Sequence, residues 1–139
     1  MNVFLPYKYI LECAKCLDSK RFNKQIIEID TMLNGKWSNH PVYKMYIPQH
    51  RDFLIAYRDL FIAYRNKANT NTLIELNDLC NMLLPNFIDD NFCMFHARRL
   101  YTKNNEHYKQ FAYLGTSDVN IYFVNGEYVY YENGKKLNK

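Results

Sequence analysis

Several features are missing from this chain, and each absence removes a class of protein. Apolar runs such as LFIAY at 60–64 are far shorter than the roughly 20 residues a bilayer-spanning helix requires. The start, MNVFLPYKY, has no basic stretch followed by a long apolar one, so it does not read as a signal peptide. No internal repeat or low-complexity linker divides the 139 residues, a length that suits one domain with its own core over 1–139. The expectation is a soluble, intracellular monomer without a membrane partner.

A second close cysteine pair is also missing. Cys13 and Cys16 form a C-x-x-C, but Cys80 and Cys93 stand too far apart to complete a zinc site. A thioredoxin-like use of the motif would need a surrounding βαβ pattern, and none is visible. Inside a helix, a spacing of three simply puts two small, easily buried side chains on one face. The cysteines read as reduced core thiols, with no metal and no cofactor expected.

What the chain does contain is apolar and mildly basic. Hydrophobic residues at 48% and aromatics at 17% exclude a disordered chain. Lysine plus arginine exceed aspartate plus glutamate by 18 to 14, a formal charge of +4. That balance is compatible with a nucleic-acid partner and does not require one.

The hydrophobic period is helical over most of the length. VFLP at 3–6 is an extended entry, because Pro6 disfavours helix at Leu5. A short helix is expected over about 7–16, and Asp18 is a good N-cap for a second that ends near Asn34-Gly35. SNHP at 38–41 offers a cap followed by Pro41 in the first turn of a short helix through Tyr46. From about Gln49 to Arg65, Phe53, Tyr57, Leu60, Phe61 and Tyr64 share one face of a longer helix. NKANTNT at 66–72 reads as a loop, and 73–84 as a helix stopped by Pro85. Near the C-terminus the period becomes two on both sides of Asn125-Gly126, a strong hairpin signal. The tyrosines there, Tyr122, Tyr128, Tyr130 and Tyr131, could stack on bases, but tyrosine is also a favoured packing residue of strands. The fold class is therefore mainly α, a compact helical domain with a small C-terminal β-hairpin.

The second helix, LDSKRFNKQIIEIDTML at 17–33, carries the most informative pattern. With Phe22 at the centre of the buried face, Ile26, Ile29 and Leu33 form one stripe. Arg21, Gln25, Glu28 and Met32 form a second along its edge, with Lys24 beside it. Glu28 should thus sit at the core boundary with cations one and two turns before it. A Lys–Glu pair at this spacing is also common on exposed helices, where it contributes only about 0.2–0.5 kcal/mol. Alternatively, Glu28 transfers protons or stabilises charge while Arg21 and Lys24 hold DNA phosphates. The helical wheel is compatible with both readings.

Four blocks, FLPY at 4–7, LDSKRFNKQIIE at 17–28, NHPVYKMY at 39–46 and FHARRLYTKNNEHY at 95–108, come in an order and spacing that resembles a known family. It is the family of pyrimidine-dimer DNA glycosylases, the endonuclease V type found in phages and large DNA viruses. Residues 66–92 match it only loosely. The resemblance implies a mostly helical, metal-independent repair enzyme acting on ultraviolet-damaged double-stranded DNA in the infected host. Enzymes of this type cut the glycosidic bond of a pyrimidine dimer and open the abasic site by β-elimination. Their nucleophile is the N-terminal α-amine, here that of Met1, acting with a glutamate whose position Glu28 matches. Arg21, Lys24 and Gln25 match the neighbouring polar positions. Asn39 and His40 lie in the NHP block, and both His40 and His96 match recurrent histidines expected near DNA. Lys44, Arg98, Arg99 and Lys103 are candidates for phosphate contacts, which add affinity and salt dependence without reading sequence.

The chain departs from the family at two places. Residue 2 is Asn, too bulky for the usual removal of the initiator Met, so either the Met1 amine is the nucleophile or the lyase step is altered or absent. Ala97, Arg98 and Arg99 also differ from the commoner pattern after the histidine. Two other functions fit the same residues: a glycosylase for a different modified or damaged base, and a non-catalytic DNA-binding module. A nuclease with a metal held by His40, His96 and a carboxylate has no supporting ligand spacing. His50 and His107 are expected at the surface.

Overall fold

The computed structural model describes residues 1–137. Its helices are α1 (Ile10–Cys16), α2 (Ser19–Leu33), α3 (Pro41–Arg65), α4 (Thr70–Met82) and α5 (Asp90–Lys103), followed by a 3-10 helix over Lys109–Leu114. Three short strands close the chain: β1 (Asn120–Val124), β2 (Glu127–Glu132) and β3 (Lys135–Lys136). They form an antiparallel sheet in sequential order, with Ile121 opposite Tyr130 and Phe123 opposite Tyr128. The mainly helical fold with a terminal hairpin is as expected, extended by the third strand. No helix among the described residues is long and apolar enough to cross a membrane.

The hairpin turns on Asn125 and Gly126, whose φ values of 55° and 79° are both left-handed, as a tight two-residue loop requires. Tyr122 is buried, and the Tyr128 hydroxyl lies 2.7 Å from the Phe87 carbonyl oxygen and 2.9 Å from Asp89 Oδ2, which share its single proton. At these two positions the hairpin tyrosines pack the sheet onto the helical body.

Helix α3 runs through the centre. Its Phe53, Tyr57 and Phe61 are essentially inaccessible, and Phe61 lies between Tyr57 and Phe22, with ring centroids 4.4 and 4.8 Å away. The break expected after Tyr46 is instead a kink within one helix. Pro48 supplies no N–H and its ring crowds the preceding turn, and the backbone leaves helical geometry at His50 (φ −128°, ψ 29°). His50 is half-buried there against the Phe87 ring, not fully at the surface. Helix α1 begins three residues later than expected, and α4 begins at Thr70 inside the expected loop. In α4 the Asn69 side chain accepts from the Thr72 N–H as an N-cap.

On α2 both stripes lie inside: Phe22, Ile26 and Ile29 are buried as expected, and the edge stripe is buried beside them except for Arg21. Met32 is fully buried, Leu33 only partly, and Gln25 and Glu28 are 2% and 7% exposed. The edge stripe is inside because a second element covers it: the N-terminal segment. Val3, Phe4 and Leu5 are buried outside any helix or strand, so their backbone groups need side-chain partners. Gln25, His96 and Tyr57 supply them. Gln25 accepts from the Phe4 N–H at 2.8 Å and donates to the Asn2 carbonyl at 2.9 Å. His96 Nδ1 accepts from the Leu5 N–H at 2.9 Å, and the Tyr57 hydroxyl donates to the Phe4 carbonyl at 2.8 Å.

All four cysteines are free, and Cys13, Cys80 and Cys93 are buried.

Candidate functional site

The threaded segment delivers the Met1 amine into a pocket of about 210 Å³ between α2 and α5. Helix α2 contributes Lys20, Lys24 and Glu28 at intervals of four, so they point the same way, with Arg21 and Gln25 alongside. Helix α5 contributes Arg99 and Lys103, again four apart. Asn2 and Phe4 complete the lining. Five basic side chains and the amine thus surround a single carboxylate.

Glu28 is poorly satisfied for so buried a group. One oxygen lies 4.0 Å from Lys24 Nζ, and Oε2 is buried without a hydrogen-bond partner among the described residues. Burial raises its pKa above the usual carboxylate value, while the Met1 amine and then Lys24 oppose that rise. The Met1 amine is shifted the other way. Burial lowers its pKa below the ordinary 8.0, Glu28 pulls it up, and Arg99, Lys24 and Lys103 push it down. The two groups therefore sense each other electrostatically, but they are not in ion-pair contact within 4.0 Å among the described residues. Both shifts move their titrations toward neutrality, where amine attack and proton transfer work best.

The remaining expected residues divide by location. Arg21 lines the pocket but is tied to Asp18 at 3.1 Å, where the Tyr108 hydroxyl also donates. That explains why Asp18 occupies the N-cap position of α2 without capping it by a side-chain hydrogen bond. Arg99 donates to the Asp118 carbonyl at 2.6 Å and remains at the pocket. The Lys103 ammonium is lowered by partial burial first, then by Arg99, Arg21 and Lys24. Gln25 is committed to the N-terminal backbone and the Tyr57 hydroxyl, so its role is to place Met1 and not to meet DNA at the surface.

His96 is likewise an internal residue, 3% exposed, and not a surface contact. Burial, aided by Arg99, lowers its pKa to about 3, so it is neutral and can accept from Leu5. Arg98 lies on another side of α5, over the Phe95 ring and against Met94 Sδ. Lys44 lines a separate cavity with Phe123 and Asn125. Neither Arg98 nor Lys44 shares the Met1 pocket. His40 caps α3, its Nδ1 accepting from the Val42 N–H at 3.1 Å. It also borders a second, shallower pocket with Asn39, Ser38, Trp37 and Met1. His107 is exposed, with Nε2 2.9 Å from the Cys16 carbonyl.

Sequence reasoning passed over Lys20, Asn2 and Trp37. Lys20 was signalled by its four-residue offset from Lys24. The position of Asn2, buried with its amide donating to Asn120 at 2.7 Å, had no local sign. Among the described residues no group of three or more His, Cys, Asp or Glu side chains is arranged to hold a metal ion.

In comparisons with protein-family models, curated proteins and solved structures, the chain matches none.

Proposed function

We propose that this protein is a DNA N-glycosylase with abasic-site lyase activity, acting on ultraviolet-induced pyrimidine dimers. The observation that carries the reading is the convergence of the Met1 amine and the Glu28 carboxylate in one cation-rimmed pocket. The resemblance of the four sequence blocks to the pyrimidine-dimer glycosylases supplies the substrate class.

The chemistry follows from the two groups. An amine with a lowered pKa is neutral to a greater extent near neutral pH than an ordinary α-amine, and its lone pair can attack the sugar C1′. The glycosidic bond breaks: the pyrimidine takes the bonding electrons and a proton given up by the attacking nitrogen, and stays linked to its neighbour through the cyclobutane ring. Ring opening gives a Schiff base between the Met1 nitrogen and C1′. Glu28 first stabilises the positive charge that develops on the sugar, then assists removal of the C2′ proton. The 3′ phosphate departs and the strand is cut. Lys20, Lys24, Arg99 and Lys103 surround this pocket as counter-charges for the backbone phosphates. Extrusion of the lesion costs less at a damaged, poorly stacked step than in intact duplex, which favours damaged sites.

The test is nicking of ultraviolet-irradiated supercoiled plasmid in excess EDTA. Conversion of irradiated but not untreated plasmid to the open circle is expected. Irradiated plasmid left intact by purified protein would refute the reading. Excision of a different modified base, or salt-sensitive binding indifferent to damage, would select one of the other two functions.

A further inference from the structure

Met1 borders two pockets, and the chemistry of Met1 and Glu28 uses only one. His40 stands in the other, a space of about 550 Å³ that it shares with Met1. Two contacts hold its ring. Nδ1 accepts from the Val42 N–H at 3.1 Å, and the ring meets Tyr122 of β1 edge to face, with centroids 5.9 Å apart and planes at 87°. The same face of β1 also holds the N-terminal segment: Asn120, two residues before Tyr122, accepts from the Asn2 side chain at 2.7 Å. One strand thus sets His40 against the start of the chain. With Nδ1 an acceptor, the neutral ring carries its proton on Nε2, which makes no hydrogen bond among the described residues. Partial burial first, then the Met1 ammonium, lower the His40 pKa below the ordinary 6.5, so the neutral form prevails near neutral pH.

A breaking glycosidic bond develops charge at both ends. The sugar end is positive, and Glu28 stabilises it. The pyrimidine end takes the bonding electrons onto N1. In a pyrimidine dimer the C5–C6 double bond has been consumed by the cyclobutane ring, so that charge cannot spread through C6 and C5 to the C4 carbonyl. It is confined to N1 and the adjacent C2 carbonyl. A donor fixed at the C2 carbonyl oxygen, where the charge collects, is what such a leaving group needs. We propose that His40 is that donor: its Nε2–H hydrogen-bonds the C2 carbonyl oxygen of the departing pyrimidine as the bond to C1′ breaks. The proposal rests on the glycosylase reading of the Met1–Glu28 site. No proton leaves His40, because the pyrimidine receives the one given up by the attacking nitrogen. The role of His40 ends with base loss, since an abasic site has no pyrimidine to release.

The experiment uses the full chain and two variants that divide the two functions of the imidazole. Asparagine places an oxygen where Nδ1 accepts, so His40→Asn keeps the α3 cap and loses the donor. Glutamine reaches the Nε2 position with an amide N–H, so His40→Gln keeps a donor and weakens the cap. Single-turnover excision is measured on a duplex with one pyrimidine dimer, borohydride trapping on a duplex with a preformed abasic site, and stability by urea unfolding. His40→Asn should lower dimer excision about 10- to 150-fold, the value of one hydrogen bond to a charged group, with trapping at the abasic site within about twofold. Its stability should be unchanged. His40→Gln should recover part of the excision and unfold at lower urea concentration. If His40 only caps α3, the order reverses and His40→Asn is fully active; that result, or equal losses on the two duplexes, would overturn the proposal and leave the glycosylase reading standing. An NMR spectrum correlating ring nitrogens with ring protons should find the Nε2–H form near neutral pH, and an Nδ1–H ring would also overturn it. Should the unmodified protein leave the dimer intact, the glycosylase reading fails and the role of His40 falls with it.

Discussion

Gln25 and Glu28 stand one turn apart on the same face of α2, both buried and both polar, yet they are held in opposite ways. Gln25 is saturated: its amide oxygen accepts from the Phe4 N–H and the Tyr57 hydroxyl, and its nitrogen donates to the Asn2 carbonyl. Glu28 has a distant lysine and a buried oxygen with no partner among the described residues. A buried polar group that is fully paired adds to the uniqueness of a fold, whereas an unpaired one costs stability. The chain therefore commits Gln25 to placing the amine and leaves Glu28 unpaired, which is what the proposed catalytic role requires.

Exchanging the two carboxamide and carboxylate roles should separate activity from stability. The largest effect is expected for Glu28→Gln, a loss of about 10²–10⁴-fold in dimer excision, the usual range for a positioned acid–base group. Its thermal stability should be unchanged or higher. The folded protein raises the Glu28 pKa, so the ionised form is the disfavoured one, and above that pKa replacing it removes a cost. The residual activity should also titrate at lower pH, since Glu28 holds the Met1 amine pKa up. An unchanged rate, or a marked drop in melting temperature, would merge Glu28 with Gln25 as a structural residue.

Gln25→Ala should do the reverse at first: it leaves the Phe4 N–H and Asn2 carbonyl without partners, at about 1–3 kcal/mol for each buried group. Urea unfolding measures that loss, and activity should fall with it because the amine is no longer held in place. A variant as stable as the parent would contradict the scaffold role.

A smaller and pH-dependent effect concerns His96, the other anchor of the N-terminal segment. Its folded pKa of about 3 lies below the ordinary 6.5, so the unfolded chain binds the extra proton between those values. Stability from this group is fully present above pH 6.5 and is lost as pH falls toward 3, at a slope of up to about 1.4 kcal/mol per pH unit. Denaturant curves at several pH values should show this slope reduced in His96→Asn, where the side-chain oxygen can take the place of Nδ1. Parallel curves for the two proteins would remove His96 from the acid response.

Much of the fold was legible because it depends on local pattern: α2 with its stop at Asn34-Gly35, the Pro41 helix start, and the Asn125-Gly126 turn. Helix α5 was not assigned from periodicity. Its inward face, Phe92, Cys93, His96, Ala97 and Leu100, mixes small and polar residues with only two large apolar ones. At the site, the pairing of Met1 with Glu28 entered through resemblance, since no local pattern brings residue 1 to residue 28. Gln25 and His96 looked like surface contacts because their partners are backbone groups of the distant N-terminal segment, invisible to any helical wheel. Lys44 and Arg98 were placed by charge alone, and charge does not say which side of the molecule a residue occupies.

The central claim is that the α-amine of Met1, and no lysine, forms the covalent intermediate. Borohydride trapping on a duplex with one dimer, followed by tryptic digestion and mass spectrometry, locates the reduced adduct directly. The adduct is expected on the α-nitrogen of the Met1–Lys8 peptide. Lys103 lines the same pocket and also has a lowered pKa, so it is the most direct rival. An adduct on Lys103, or trapping undiminished after selective acetylation of the α-amine, would contradict the account.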